Sequence, residues 1–242
     1  GQIPSGEVLI SLRKMRAVRD VAPLDDAMTV EAGVTLLEAQ QAATAAGRFF
    51  PLSLAAEGSA TIGGVISTNA GGTAVLRYGM MRDLILGIEA VMPDGQVFHG
   101  LKRLRKDNTG YDLKQLLIGA EGTLGVVTAA TLKLFPIMRS RATAMVGLND
   151  PDAAIRLLAT AKAETGGGVE AFELMKRIGV EFAIQHIPDV REPLDGSQPW
   201  YVLVELASGE PGAAEAGLER ILAQAFDDGL ITDAAIAQNE TQ

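Results

Sequence analysis

The residues AEGSATIGGVISTNAGG, 56 to 72, hold five glycines, Gly58, Gly63, Gly64, Gly71 and Gly72, and no lysine or arginine. No basic side chain occurs between Arg48 and Arg77. Glycine lets a ligand approach the main chain without meeting a Cβ, and lets successive N–H groups turn toward one point. An anion held here would be held by amide dipoles and a helix N-terminus, with SATIGGVIS as the opening turn. The diphosphate of a dinucleotide suits such a site, even in an acidic protein. The spacing from Gly58 to Gly63 and Gly64 is not GxGxxG, and no GK[ST] is present, so neither the Rossmann fingerprint nor the P-loop is supported. Glycine clusters also mark tight turns and close packing; the residues alone leave both readings open.

Other chemistries are narrowed by composition. The chain has no cysteine, which excludes disulfides, thiolate metal sites and thiol nucleophiles within it. Its two histidines, His99 and His186, have no zinc-ligand spacing. A net charge of −9 argues against a nucleic-acid backbone or an anionic membrane as partner. The densest basic run, LKRLRKDN with Lys102, Arg103, Arg105 and Lys106, reads as a solvated loop or as a docking point for an acidic group. No apolar stretch is long enough to span a bilayer and the start lacks a signal-peptide pattern, so a cytoplasmic protein is the default expectation. The missing initiator Met and the ending IAQNETQ suggest an internal piece of a longer chain.

The elements that position these residues follow from patterning. Glu7 to Leu12 and Met28 to Gly33 read as strands. Thr35 and Glu38 have capping-box spacing and Gly47 is a stop, which predicts a helix with Leu36, Ala39, Ala43 and Ala46 facing a sheet. LILGIEAVMPDGQVFHG reads as strand, Pro93-Asp94-Gly95 turn, strand. Thr123 to Phe135 is strand-rich and ends at Pro136. Beyond it come a strand (Arg141 to Leu148), a helix with Pro151 in its first turn and Ala154, Leu157, Leu158 and Ala161 on one face, and VEAFELM running into a short helix through Ile184. A polar loop leads to the strand WYVLVELA, a helix with Ala214, Leu218, Ile221, Leu222 and Ala225 inside, and the strand LITDAAIA. The order β-α-β-β-α-β is the ferredoxin-like split, and a domain boundary is placed near 137 to 140. No internal repeat is evident.

PLSLAAEGSATIGGVISTNAGG, then LRYGMMRDLILGIEAVMPDG and LLIGAEGTLGVVTAATLKLFP, resemble the vanillyl-alcohol-oxidase-type (PCMH-type FAD-binding) flavoprotein family. The branch nearest in texture is that of the FAD-linked D-2-hydroxyglutarate and D-lactate dehydrogenases and the glycolate oxidase D-subunit. The resemblance implies an α+β protein: the second part of a PCMH-type FAD-binding domain over 1–137, then a truncated ferredoxin-like substrate (cap) domain over 138–242. FAD is the implied cofactor, extended between two subdomains with its diphosphate against glycine-rich turns.

Carried over by motif, Pro51, Gly58, Ser59, Gly63, Gly64, Thr68 and Asn69 would line the diphosphate and the flavin-proximal wall, and Gly71 and Gly72 would pack close under the ring. Glu121, Gly122, Gly125 and Val127 match the family's strand beside the ADP half, with Val126 and Val127 offering main chain to the adenine edge. Asn69 reads equally as a turn residue; Glu121 has a turn-capping reading too, but the motif match favours flavin proximity. Arg77 could stabilise reduced flavin or belong to a clasp, and Arg82 with Asp83 forms a candidate ion pair.

The family's PGGxTG-like loop would precede this chain, with Gly1 as its last residue. Its HxHxGDGxxH-like segment would follow Gln242, so no catalytic residue is assigned here and a divalent metal belongs only to the full-length protein. The implied reaction oxidises a small D-2-hydroxy acid to the 2-oxo acid, with an electron acceptor such as an electron-transfer flavoprotein and a possible homodimer. Alternatives are a non-catalytic nucleotide-binding subunit or a relative acting on another substrate, such as a cell-wall reductase or an alcohol oxidase.

Overall fold

The computed structural model describes Gly6 and residues 8–238. The chain segregates into two compact units: one runs up to Gly72 and resumes over Gly79–Ile137, the other comprises Thr73–Tyr78 and Met138 onward.

The first unit contains β1 (Val18–Ala22), β2 (Ala27–Glu31), α1 (Leu36–Ala45), β3 (Arg48–Phe49) and α2 (Ile62–Ser67). After α3 (Val75–Tyr78), which lies in the other unit, it continues with β4 (Ile85–Val91), β5 (Val97–Gly100), α4 (Lys114–Leu117), β6 (Val126–Lys133) and β7 (Phe135–Pro136). Its main sheet has the order β1-β2-β6-β4-β5, every neighbouring pair antiparallel. Burial of Met28, Val30, Leu36, Ile62, Ile88 and Leu132 supplies the apolar drive. The capping box forms as the spacing predicts: Glu38 N–H donates to the Thr35 hydroxyl at 3.3 Å, and Thr35 N–H to the Glu38 carboxylate at 2.9 Å. The β4–β5 turn forms at Pro93-Asp94-Gly95, with Gly95 at φ +84°.

Two expectations for this unit are corrected. No strand forms over residues 8–12, where Val8 is 91% exposed; Glu7, the start of that expected strand, lies outside the described residues. A strand needs a ladder partner as well as an apolar pattern, and no described strand pairs with this stretch. The edge strand is instead β1, whose VRDVA sequence is charged; Arg19 reaches Glu31 and Glu89. The strand placed at Thr123 begins only at Val126, because residues 121–124 form a turn.

The second unit contains α3, β8 (Ser140–Leu148), α5 (Pro151–Thr165), β9 (Val169–Lys176), α6 (Arg177–His186), β10 (Trp200–Ser208), α7 (Ala213–Asp227) and β11 (Asp233–Ile236). The sheet order β11-β8-β10-β9, all antiparallel, is the ferredoxin-like 4-1-3-2 arrangement with α6 added to the β9–β10 connection. Val146, Leu148, Val202 and Val204 of the sheet pack with Leu157 of α5 and Leu218 of α7. Helix α5 starts at Asp150, which accepts the Ala153 N–H at 2.8 Å, with Pro151 at the first helical position. Helix α7 lacks a cap of its own, since Gly212 has no side chain. Ser140 of β8 takes the role: its hydroxyl accepts the Ala214 N–H at 2.8 Å and donates to Glu215 at 2.5 Å.

Candidate functional site

Within the first unit, α2 gathers the glycine-bearing turns. Thr61 caps it and accepts the Gly64 N–H at 3.4 Å. Gly63 permits its close approach to the sheet end, because a Cβ there would lie 2.7 Å from the Ala32 Cβ. At the other end of α2, the Ile66 carbonyl accepts N–H bonds from Asn69 and Gly119, each at 3.0 Å, and the Ser67 carbonyl accepts the Glu121 N–H at 3.0 Å. The 119–122 turn is thereby docked beside Asn69.

Both non-glycine members of this junction are left-handed, Asn69 at φ 48° and Glu121 at φ 49°. Asn69 is fixed further by its Oδ1, which accepts the Arg82 N–H at 2.9 Å. The Arg82 guanidinium donates to the carbonyls of Gln115 (2.8 Å) and Ile118 (2.7 Å), so it staples the approach to Gly119. It does not pair with Asp83, whose carboxylate accepts the Met80 N–H instead. The expected Arg82–Asp83 ion pair is thus corrected.

On the same unit, the 53–58 turn meets Gly72, where a Cβ would lie 2.3 Å from the Ser53 carbonyl oxygen. The close approach at Gly72 is therefore to protein backbone. The Glu57 carboxylate holds this turn, accepting from the Ser53 hydroxyl (2.7 Å), the Gln40 amide (3.1 Å) and the Leu54 N–H (3.3 Å). Burial alone would raise the Glu57 pKa, but these donors together bring it below the usual value. Sequence patterning missed the Glu57 hub and gave Arg82 the wrong partner, because their partners are main-chain carbonyls and polar groups with no periodic signature.

Helix α2 does not present an anion site at its start. The N–H groups of Ile62 and Gly63 are engaged by the carbonyls of Val34 and Ala32, each at 2.8 Å, and that of Gly64 by Thr61. Gly63 and Pro51 are buried, and Val127, 3% exposed, lies opposite Ala90 in the β4–β6 ladder. These three offer no surface to a ligand. The donors that remain lie elsewhere: the N–H groups of Gly58, Gly71, Gly72 and Gly122 bond to no group among the described residues. Gly58 and Gly122 face open space, Gly122 at φ +80°. Ser59, Gly64, Thr68 and Glu121 are exposed beside them, while Gly125 is buried against the Val91 carbonyl and Val126 half-buried. Val126 lies opposite Val91 of β4, beyond the stretch of β6 that pairs with β2.

Arg77 is not part of this set. It belongs to the second unit, where its guanidinium donates to the Ala207 carbonyl at 2.6 Å and sits 3.7 Å from Glu170. Its guanidinium is thus engaged inside that unit, as the clasp reading expects.

Three cations of the basic run are likewise paired: Lys102 with Asp107, Arg103 with Asp20, Arg105 with Asp26. A cleft of about 350 Å³ beside β5, lined by Phe98, His99, Lys102, Tyr111 and Lys114, shares no residue with the glycine turns. Among the described residues no cluster of metal-ligating side chains occurs, and no helix is long and apolar enough to cross a membrane.

Residues 1–100 match the family model described as the FAD binding domain, and residues 137–242 match that of the FAD linked oxidases, C-terminal domain. The chain belongs to the FAD-linked oxidase family. It is 37% identical over 234 residues to the D-2-hydroxyglutarate–pyruvate transhydrogenase DLD3 of Saccharomyces cerevisiae, covering 97% of this chain and 47% of that protein. It is 39% identical over 244 residues to a probable mitochondrial D-2-hydroxyglutarate dehydrogenase of Oryza sativa subsp. indica, covering 100% of this chain and 44% of the other. A D-2-hydroxyglutarate dehydrogenase of Xanthomonas citri is 33% identical, with 98% and 49% covered. The chain thus spans about half the length of the curated relatives it matches.

The solved structure of an alkyldihydroxyacetonephosphate synthase shares the fold at TM-score 0.72 and 15% identity, over 95% of this chain and 43% of that one. The cytoplasmic expectation is corrected: the relatives from rice, Arabidopsis thaliana, Bos taurus and Rattus norvegicus are mitochondrial by name, and composition carries no information on compartment.

The residues present fit the FAD of this family through main-chain donors rather than cations. Unengaged amides lie on the exposed turns at Gly58 and Gly122 and in the half-buried stretch Gly71–Gly72 of one unit, beside left-handed Asn69 and Glu121.

Proposed function

We propose that this chain is the flavin-holding part, with the start of the substrate-covering part, of a dehydrogenase that oxidises a small D-2-hydroxy acid to its 2-oxo acid. The observation that carries the reading is the set of unengaged N–H groups at Gly58, Gly71, Gly72 and Gly122 in a unit of the FAD-linked oxidase family. FAD, when bound, supplies the two-electron acceptor.

The residues of this chain bind and orient. The four amides hold the diphosphate, with the hydroxyls of Ser59 and Thr68 at its flank. Asn69 and Glu121 fix the turns in advance, so that little ordering remains for binding. The Val126 main chain offers a donor and an acceptor to a ring edge. The names of the relatives support D-2-hydroxyglutarate as the substrate. Electrons then leave to an electron-transfer flavoprotein or, as the name of the yeast relative describes for that enzyme, to pyruvate.

The test is a visible spectrum of the full-length protein followed by a panel of D-2-hydroxyglutarate, D-lactate and glycolate with a dye acceptor. A flavin spectrum and fastest bleaching with D-2-hydroxyglutarate are expected. A colourless protein that FAD cannot reconstitute overturns the reading. Replacing the dye by each candidate acceptor distinguishes the two.

A further inference from the structure

The chain leaves the first unit after Gly72, contributes Thr73–Tyr78 to the second, and returns at Gly79. Inside the second unit this segment is tightly engaged. Tyr78 is 7% exposed and its hydroxyl donates to Glu170, itself 2% exposed, at 2.7 Å. Arg77 donates to the carbonyls of Ala207 (2.6 Å) and Gly168 (3.4 Å). Immediately upstream lies the turn Asn69–Gly72, which the proposed function places at the cofactor; at Gly72 a Cβ would lie 2.3 Å from the Ser53 carbonyl oxygen.

We propose that Thr73–Tyr78 is a strap, with Tyr78 and Arg77 as positioning residues that fix the chain directly following the Asn69–Gly72 turn. The strap follows from the chain path and its contacts; its relevance to FAD rests on the proposed function. A buried acid such as Glu170 is tolerable only with its donors in place, so the strap end is fixed strongly. A fixed end lowers the conformational entropy of the turn it continues into.

The experiment is amide hydrogen exchange on this chain without cofactor, comparing Tyr78→Phe, the milder Glu170→Gln, and Tyr201→Phe. The last removes a comparable hydroxyl–glutamate contact of the second unit, Tyr201 to Glu192 at 2.6 Å, away from the strap. For Tyr78→Phe, protection of the Asn69, Ala70, Gly119 and Glu121 amides falls by roughly tenfold or more, as loss of a hydrogen bond to a charged group implies. Glu170→Gln gives a smaller loss at the same amides, and Tyr201→Phe leaves them unchanged. Loosening confined to residues from Met138 onward, or equal loosening of the turn by Tyr201→Phe, overturns the strap. FAD affinity measured by flavin fluorescence is the second readout. Weaker affinity in Tyr78→Phe of the full-length protein is expected; unchanged affinity with a loosened turn sinks the link to the cofactor alone, and no affinity in the full-length parent sinks the proposed function.

Discussion

Gly63 and Gly58 belong to one motif and do different work. A Cβ at Gly63 meets the Ala32 Cβ at 2.7 Å, whereas one at Gly58 meets nothing within 4 Å. Gly63→Ala is therefore expected to lower stability by about 1–3 kcal/mol, read as a urea midpoint. Gly58→Ala should stay within about 0.5 kcal/mol and weaken FAD binding instead, read by fluorescence titration.

Glu205 gives a pH signature. Its carboxyl is pushed up first by burial, with Arg141 pulling it down and the hydrogen bond to Glu170 adding to the rise. An acid whose folded pKa exceeds its unfolded one binds its proton more tightly when folded. That contribution is complete below the unfolded value and is lost as pH climbs through the folded one. Glu205→Gln, a permanent donor to Glu170, should gain stability over the parent at pH 7.5 and show no gain at pH 4, compared by urea midpoints. Such pairings were illegible in the sequence. Glu205 and Glu170 sit on different strands, and nothing local marks them as neighbours.

Elements with local signals were legible. Thr35 and Glu38 announced α1, Pro151 announced α5, and the apolar face of α7 came out buried at Ala214, Leu218, Ile221, Leu222 and Ala225. The cap of α7 was not legible, because it comes from Ser140, 74 residues before Ala214. Ser140→Ala should cost about 1 kcal/mol, seen in denaturant unfolding, and should speed exchange in the first turn of α7 before the rest of the helix. The α2 start shows the opposite failure. The motif was visible, yet its amides face sheet carbonyls rather than an anion, and a six-residue helix contributes little dipole of its own. The strand expected at Glu7 to Leu12 and the real edge strand Val18–Ala22 differ in what pairs with them, which a one-dimensional pattern does not carry.

At the scale of the molecule, cofactor binding and stability are linked. A ligand that binds only the folded state stabilises it by about 2.7 kcal/mol at a hundredfold excess over its dissociation constant. FAD should therefore raise the unfolding temperature of the chain, and slow exchange at 58–72 and 119–126 ahead of β8–β11; a uniform effect would point away from the glycine turns.

The path through Thr73–Tyr78 has a further consequence for how such a protein can be recombined. A breakpoint after Ile137 looks natural along the sequence, yet it parts Tyr78 from a carboxylate 92 residues downstream. Exchanging only the C-terminal half would separate this tyrosine from the acid it bonds. Viable chimeras must transplant those six residues together with everything beyond Ile137.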